Sequence, residues 1–163
     1  MRKVENDSRP RFAVVGLALA TVFGVGYVPF APGTFGSIAG LVLWLLIPQS
    51  AAANAALIVV LFAIGSWSGT VAERHFGKTD PGPVVIDEVM GMLITLFMNP
   101  VGWVGASAAC LFFRFFDIVK PYPSNRLERL PAGIGIMADD AMAAVYANLA
   151  LRATLAVGRR VIG

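Results

Sequence analysis

From Phe12 to Ala72 the sequence contains no Asp, Glu, Lys, Arg or His. A chain of 163 residues that folds in water must clothe much of its outside in polar side chains, so this gap argues against an ordinary soluble domain. Charge is scarce elsewhere too: Asp, Glu, Lys and Arg make up 14% of the chain, against about 25% in a typical soluble domain. Cysteine occurs once, at Cys110 in an apolar run, which excludes an internal disulfide and reads as packing. Histidine also occurs once, at His75. That excludes paired-histidine chemistry, and His75 itself reads as a solvated loop residue. Cys110 and Arg114 are too close to form a Cys-x5-Arg phosphate loop. There is no Gly-x-x-x-x-Gly-Lys nucleotide loop and no Gly-x-Ser-x-Gly hydrolase elbow.

What is present is hydrophobic: 57% of residues, with a mean hydropathy of +0.73. Lipid is the solvent that suits this composition. The chain reads as an all-α integral membrane protein with broken or re-entrant helices. A net charge of +3 is weak evidence for nucleic acid and better evidence for topology. The cations cluster at Arg2, Lys3, Arg9 and Arg11, at Arg74 and Lys78, and at Arg114, Lys120, Arg126 and Arg129. The positive-inside rule puts all three clusters on the cytoplasmic side.

Residues 1–11 read as a polar tail, and 12–163 as a single helical domain. Phe12–Phe30 is apolar but carries several glycines and Pro29, which suits an interfacial or re-entrant helix rather than a cleaved signal peptide. "APGTFGS" (31–37) reads as a turn, Phe35–Ile47 as an apolar helix, and Ala51–Ala72 as long enough to span. After a polar loop at Glu73–Asp87, the uncharged stretch Val89–Phe113 is broken by Asn99-Pro100. Its two flanks are both basic, so a helical hairpin returning to the cytoplasmic face is expected. A second polar loop (114–135) leads to a last helix over 136–158.

Ten residues are acidic, and two adjacent pairs, Asp87-Glu88 and Asp139-Asp140, stand near the starts of apolar helices. Capping by one carboxylate would contribute roughly 0.3–1 kcal/mol. Neighbouring helical residues point about 100° apart, so one acid of each pair must face the bundle or lipid. A carboxylate in lipid costs about 2.5–3.5 kcal/mol. The pairs therefore favour a divalent-cation site of hard oxygen ligands, with capping as the alternative. "RFFDIVK" adds Arg114, Asp117 and Lys120 at helical spacing, a set suited to neutralising a phosphoryl group; a basic cluster for anionic lipid is the alternative. Thr34 and Ser37 are candidate phosphate donors, or equally helix N-caps.

Four blocks in order, "PFAPGTFGS", "VVIDEVMGM", "FRFFDIVKPYP" and "GIGIMADDAMAA", resemble the signature of the phosphatidylglycerophosphatase A family. The resemblance implies an all-helical, Mg²⁺-dependent phosphatase of the bacterial inner membrane. Such an enzyme converts phosphatidylglycerophosphate to phosphatidylglycerol on the cytoplasmic face. By matching position it implies metal and catalytic roles for Asp87, Glu88, Asp139 and Asp140, with Asp80 of "KTDPGP" among the metal ligands. It also implies phosphate binding by the block holding Arg114, Asp117 and Lys120. Asp140 is the expected general base. The expected partners are the phospholipid substrate and the membrane, not nucleic acid. A phosphatase for another lipid phosphate, such as phosphatidic acid, and a small non-enzymatic transporter with intramembrane acids are the competing expectations.

Overall fold

A computed structural model describes residues 8–162. Among them the fold is all-α: α1 (Ser8–Ala20), α2 (Pro32–Leu46), α3 (Ala51–Phe76), α4 (Ile86–Leu96), α5 (Trp103–Val119), α6 (Ser124–Leu127) and α7 (Gly133–Ile162), with one 3-10 turn at Val25–Tyr27. Arg2 and Lys3, and most of the expected polar tail, lie outside the described residues.

Several boundaries differ from the sequence reading, for local reasons. "APGTFGS" is not a turn, because α2 begins at Pro32. Proline suits a first helical position, where its missing N–H would have no acceptor and its fixed φ is already helical. The turn lies upstream: Phe12–Phe30 is not one helix, since α1 stops at Ala20 and Val22, Phe23 and Ala31 adopt positive φ. The 114–135 segment is not all loop either, because α5 continues to Val119 before Lys120 takes a left-handed φ of 45°. The reversal falls where the sequence reading put it. The chain reverses at 97–102, around Asn99-Pro100, into a helical hairpin.

Close contacts set the directions of the helices. Gly36 and Gly40 of α2 lie against Val85 and Glu88, then Val89 and Met92, so α2 and α4 run parallel. Phe113 packs on Gly91 and Arg114 reaches Glu88, so α5 runs back along α4. Gly133 of α7 lies on the α3 backbone at Ser66 and Thr70, and Met137 on Gly65, which makes α3 and α7 antiparallel. Helices α2, α4 and α7 thus begin at one end of the molecule, where α3 and α5 finish. The central helix is α4, with ten of its 11 residues buried.

Helices α3 and α7 are long and apolar enough to cross a membrane. At 1.5 Å per residue, the 11 residues of α4 cover about 16 Å, short of a hydrocarbon core of about 30 Å. Its C-terminal carbonyls are met from α7. The Asn148 amide nitrogen lies 3.1, 3.0 and 2.9 Å from the carbonyl oxygens of Ile94, Thr95 and Phe97. Arg152 orients that amide through Nε (2.8 Å to Asn148 Oδ1) and also donates to the Phe97 carbonyl. Asn148→Leu keeps the size of the side chain but removes the donor these carbonyls share, leaving each its other partner: the Phe97 N–H for Ile94, Asn99 Nδ2 for Thr95 and Arg152 for Phe97. It should lower stability by about 0.5–1.5 kcal/mol, seen as a fall in Tm in detergent.

Candidate active site

The first turn of α4 carries Asp87 and Glu88. Beside it, Asp139 and Asp140 occupy the seventh and eighth positions of α7, too deep to cap that helix. One carboxylate oxygen from each of Asp87, Glu88 and Asp140 lies within 4.8 Å of the other two. These residues are only 6, 9 and 4% exposed. Asp87 Oδ1, Glu88 Oε2 and Asp140 Oδ2 are shut away from solvent and receive no hydrogen bond.

Buried anionic oxygens without donors are strongly unfavourable. Burial, then the charges of Glu88 and Asp140, push Asp87 well above the usual carboxylate range. Burial also raises Glu88, against the opposing influence of Asp87 and Arg114. A divalent cation would resolve the conflict by giving the stranded oxygens a partner. The donors are all carboxylate oxygens, with no His or Cys among them, which suits Mg²⁺ or another hard ion.

The remaining acids have different neighbours. Asp117 holds Arg114 at 2.8 Å, and the same Nη1 lies 3.4 Å from Glu88 Oε1. Asp139 binds Lys120 Nζ at 2.6 Å, with Glu128 at 3.4 Å on the other side. Asp139 is anchored in turn, since its carbonyl accepts from Ser124 Oγ and its Oδ1 from the Asp140 N–H. Burial works against the Lys120 charge, but the Asp139 carboxylate outweighs it and holds the ammonium above its ordinary pKa.

Asp87, Glu88, Arg114, Asp117, Lys120, Asp139 and Asp140 line a cavity of ≈ 350 Å³. Asp80 lines it too, exposed and in no ion pair among the described residues. Thr34 and Ser37 are not in its walls. The Ser37 hydroxyl is fully buried and donates to the Gly33 carbonyl at 2.9 Å. The "PFAPGTFGS" block instead contributes Ala31, Pro32 and Gly33 to the lining. As a first-turn residue Gly33 has a backbone N–H with no acceptor inside the helix. A Cβ there would run into Glu88 Oε1 and the Arg114 guanidinium. His75, in the last turn of α3, is exposed and meets the edge of Phe76. Cys110 packs against the core.

Sequence reasoning missed Gly33, Ile118 of the cavity wall, and the unlike surroundings of Asp139 and Asp140. The Pro-Gly pair was the available signal for Gly33. Nothing in the sequence marks which of two neighbouring aspartates meets a lysine.

The blocks that build this cavity come from α2, α4, α5 and α7, and a single family profile spans all of them. The profile, Phosphatidylglycerophosphatase A, matches residues 18–155. The chain belongs to that family. It is similar to proteins named Phosphatidylglycerophosphatase A from Haemophilus influenzae and Escherichia coli. The first is 39% identical over 79% of this chain and 82% of the relative. The second is 37% identical over 78% and 76% respectively. A Bacteroides thetaiotaomicron protein provisionally named a phosphatidylinositol-3-phosphatase is 38% identical over 95% of this chain and 99% of its own length. No solved structure matches the chain.

Proposed function

We propose that this chain is a membrane-bound lipid phosphatase that hydrolyses the terminal phosphomonoester of phosphatidylglycerophosphate to give phosphatidylglycerol. The observation that carries the reading is the grouping of stranded carboxylate oxygens on Asp87, Glu88 and Asp140 beside Arg114 and Lys120 in one cavity. The family membership agrees with it.

Asp87, Glu88 and Asp140 would hold Mg²⁺. Such an ion supplies positive charge against the phosphoryl oxygens and acidifies a water that it binds. Arg114 and Lys120 neutralise the remaining phosphoryl charge, with Asp117 and Asp139 fixing their positions. The N-terminal ends of α2 and α4 face the same region, which favours an anion through their dipoles. Water attacks phosphorus, the ester P–O bond breaks, and the lipid alkoxide takes a proton from solvent as it leaves. That balances the proton given up by the attacking water and returned to solvent through the exposed wall acid Asp80. The proton from the attacking water goes to Asp80, the wall acid that is neither in the triad nor bound to a cation. This moves the general-base role from Asp140 to Asp80.

The same end of the molecule carries Arg74, Lys78, Lys120, Arg126 and Arg129, while Arg152 and Arg160 lie toward the other. The larger cluster supports a cytoplasmic active site in a bacterial inner membrane, with the α4–α5 hairpin entering the bilayer from that face and returning to it. A phosphoinositide substrate is the second reading, favoured by the Bacteroides relative that aligns with nearly the whole chain.

The test is phosphate release by the purified chain in detergent, with Mg²⁺ or with EDTA. Three lipids are compared: phosphatidylglycerophosphate, phosphatidylinositol 3-phosphate and phosphatidic acid. The expected result is Mg²⁺-dependent release, fastest from phosphatidylglycerophosphate. A higher kcat/KM on either other lipid would reassign the substrate, and no release from any of them would overturn the phosphatase reading.

A further inference from the structure

A lipid whose phosphate sits beside Arg114 must carry its acyl chains out of the cavity along some surface. Most of the cavity walls are charged side chains or backbone. Ile118 is the one large apolar wall residue that is also open to the outside, at 73% exposure. It belongs to a longer feature. Val104, Leu111, Phe115 and Ile118 are all strongly exposed on α5. At about 100° per residue they fall within an arc of about 60°. Arg114 projects about 40° round the helix from Ile118 on the cavity side, while Ala106, Ala109 and Phe113 face the core. The three faces of α5 are therefore core, cavity and an apolar stripe, with Ile118 joining the last two.

We infer that this stripe is an acyl-chain track. The substrate enters from the side, its phosphate passing Ile118 to Arg114 while one acyl chain lies along Ile118, Phe115 and Leu111. This deepens the lipid-phosphatase reading and rests on it. The occupant is the hydrocarbon of the substrate itself, because the stripe is continuous with the wall of the cavity that holds its headgroup. An equally exposed apolar face elsewhere, such as Val59 on α3, has no such continuity and meets only bulk lipid or detergent.

The experiment compares kcat/KM on dioleoyl and dihexanoyl phosphatidylglycerophosphate in detergent for the wild type, Ile118→Asn, Leu111→Asn and Val59→Asn. The two α5 variants should lose about tenfold on the long-chain lipid, the scale of one lost apolar side-chain contact. Leu111→Asn should stay within about twofold of wild type on the short-chain lipid, whose chains end before Leu111, whereas Ile118→Asn, at the cavity wall, should lose on both lipids, and Val59→Asn should leave both unchanged. An equal loss on both lipids in Leu111→Asn would make its effect local damage and overturn the track. So would no loss on either lipid, or the same long-chain loss in Val59→Asn. Wild-type protein that releases phosphate from neither lipid would instead bring down the phosphatase reading, and the track with it.

Discussion

Asp87→Asn should cut Mg²⁺-dependent phosphate release by about 10²–10³-fold, the scale of losing one charge-stabilising group in an active site, while leaving the protein at least as stable. The side chain keeps its shape, so packing around the first turn of α4 is preserved. What disappears is one of three mutually repelling buried carboxylates. In wild-type protein, ligand linkage should make Mg²⁺ raise Tm; in Asp87→Asn that shift should vanish together with activity. Asp80→Asn provides the contrast. Asp80 lies outside the triad, so this variant should retain the Mg²⁺-induced rise in Tm and lose about 10²-fold in kcat, as expected for removal of a general base. The two variants thus separate holding the ion from moving the proton. Activity that survives Asp87→Asn would return the Asp87-Glu88 pair to a capping role. An Asp80→Asn variant that loses the Tm shift as well would make Asp80 a ligand.

Gly33→Ala should inactivate the protein without unfolding it. The added methyl has no room beside Glu88 Oε1 and the Arg114 guanidinium. Both obstacles are the far ends of long side chains, so the fold yields by swinging them aside. The site does not tolerate that movement. Glu88 would leave the triad and Arg114 would leave Asp117, since one nitrogen, Nη1, serves both acids. A displacement of about 1 Å in a positioned catalytic group can cost about 10²-fold in rate. The expected pattern is therefore a loss of kcat/KM of at least that size, with Tm within a few degrees of wild type. Gly33→Ala protein with normal turnover would show that Glu88 and Arg114 need not be held this closely.

The gross architecture could be read from composition. The charge-free run announced apolar helices, of which α3 is long enough to cross a membrane, and Asn99-Pro100 marked the reversal between α4 and α5, because both effects act locally. Boundaries set by fine backbone chemistry were harder. Pro32 followed by glycine looks like a turn in isolation, and only the packing of Gly36 and Gly40 on α4 shows why a helix must begin there. At the candidate site, the acids that share the cavity could be found but not sorted. Asp139 and Asp140 are chemically identical and adjacent. Their difference comes from which neighbours reach them: Lys120 at the end of α5 for one, and the α4 acids for the other. Such contacts join positions far apart in the chain, so local pattern cannot reveal them. For the same reason Asn148 passed as an ordinary member of an alanine-rich helix.

The parallel course of α4 and α7 has a consequence for the kinds of change the gene can accept. Eight positions separate Asp87 from Thr95 on one helix, and eight separate Asp140 from Asn148 on the other. The carboxylate triad joins the two helices at one rung, and the Asn148 amide joins them again at the next. Gly91, under the Phe113 ring, and the fully buried Ala143, Ala144 and Ala147 leave little room for larger side chains between the rungs. Inserting or deleting a single codon between them would rotate one rung by about 100° relative to the other. Descendants of this sequence should therefore keep these two segments constant in length.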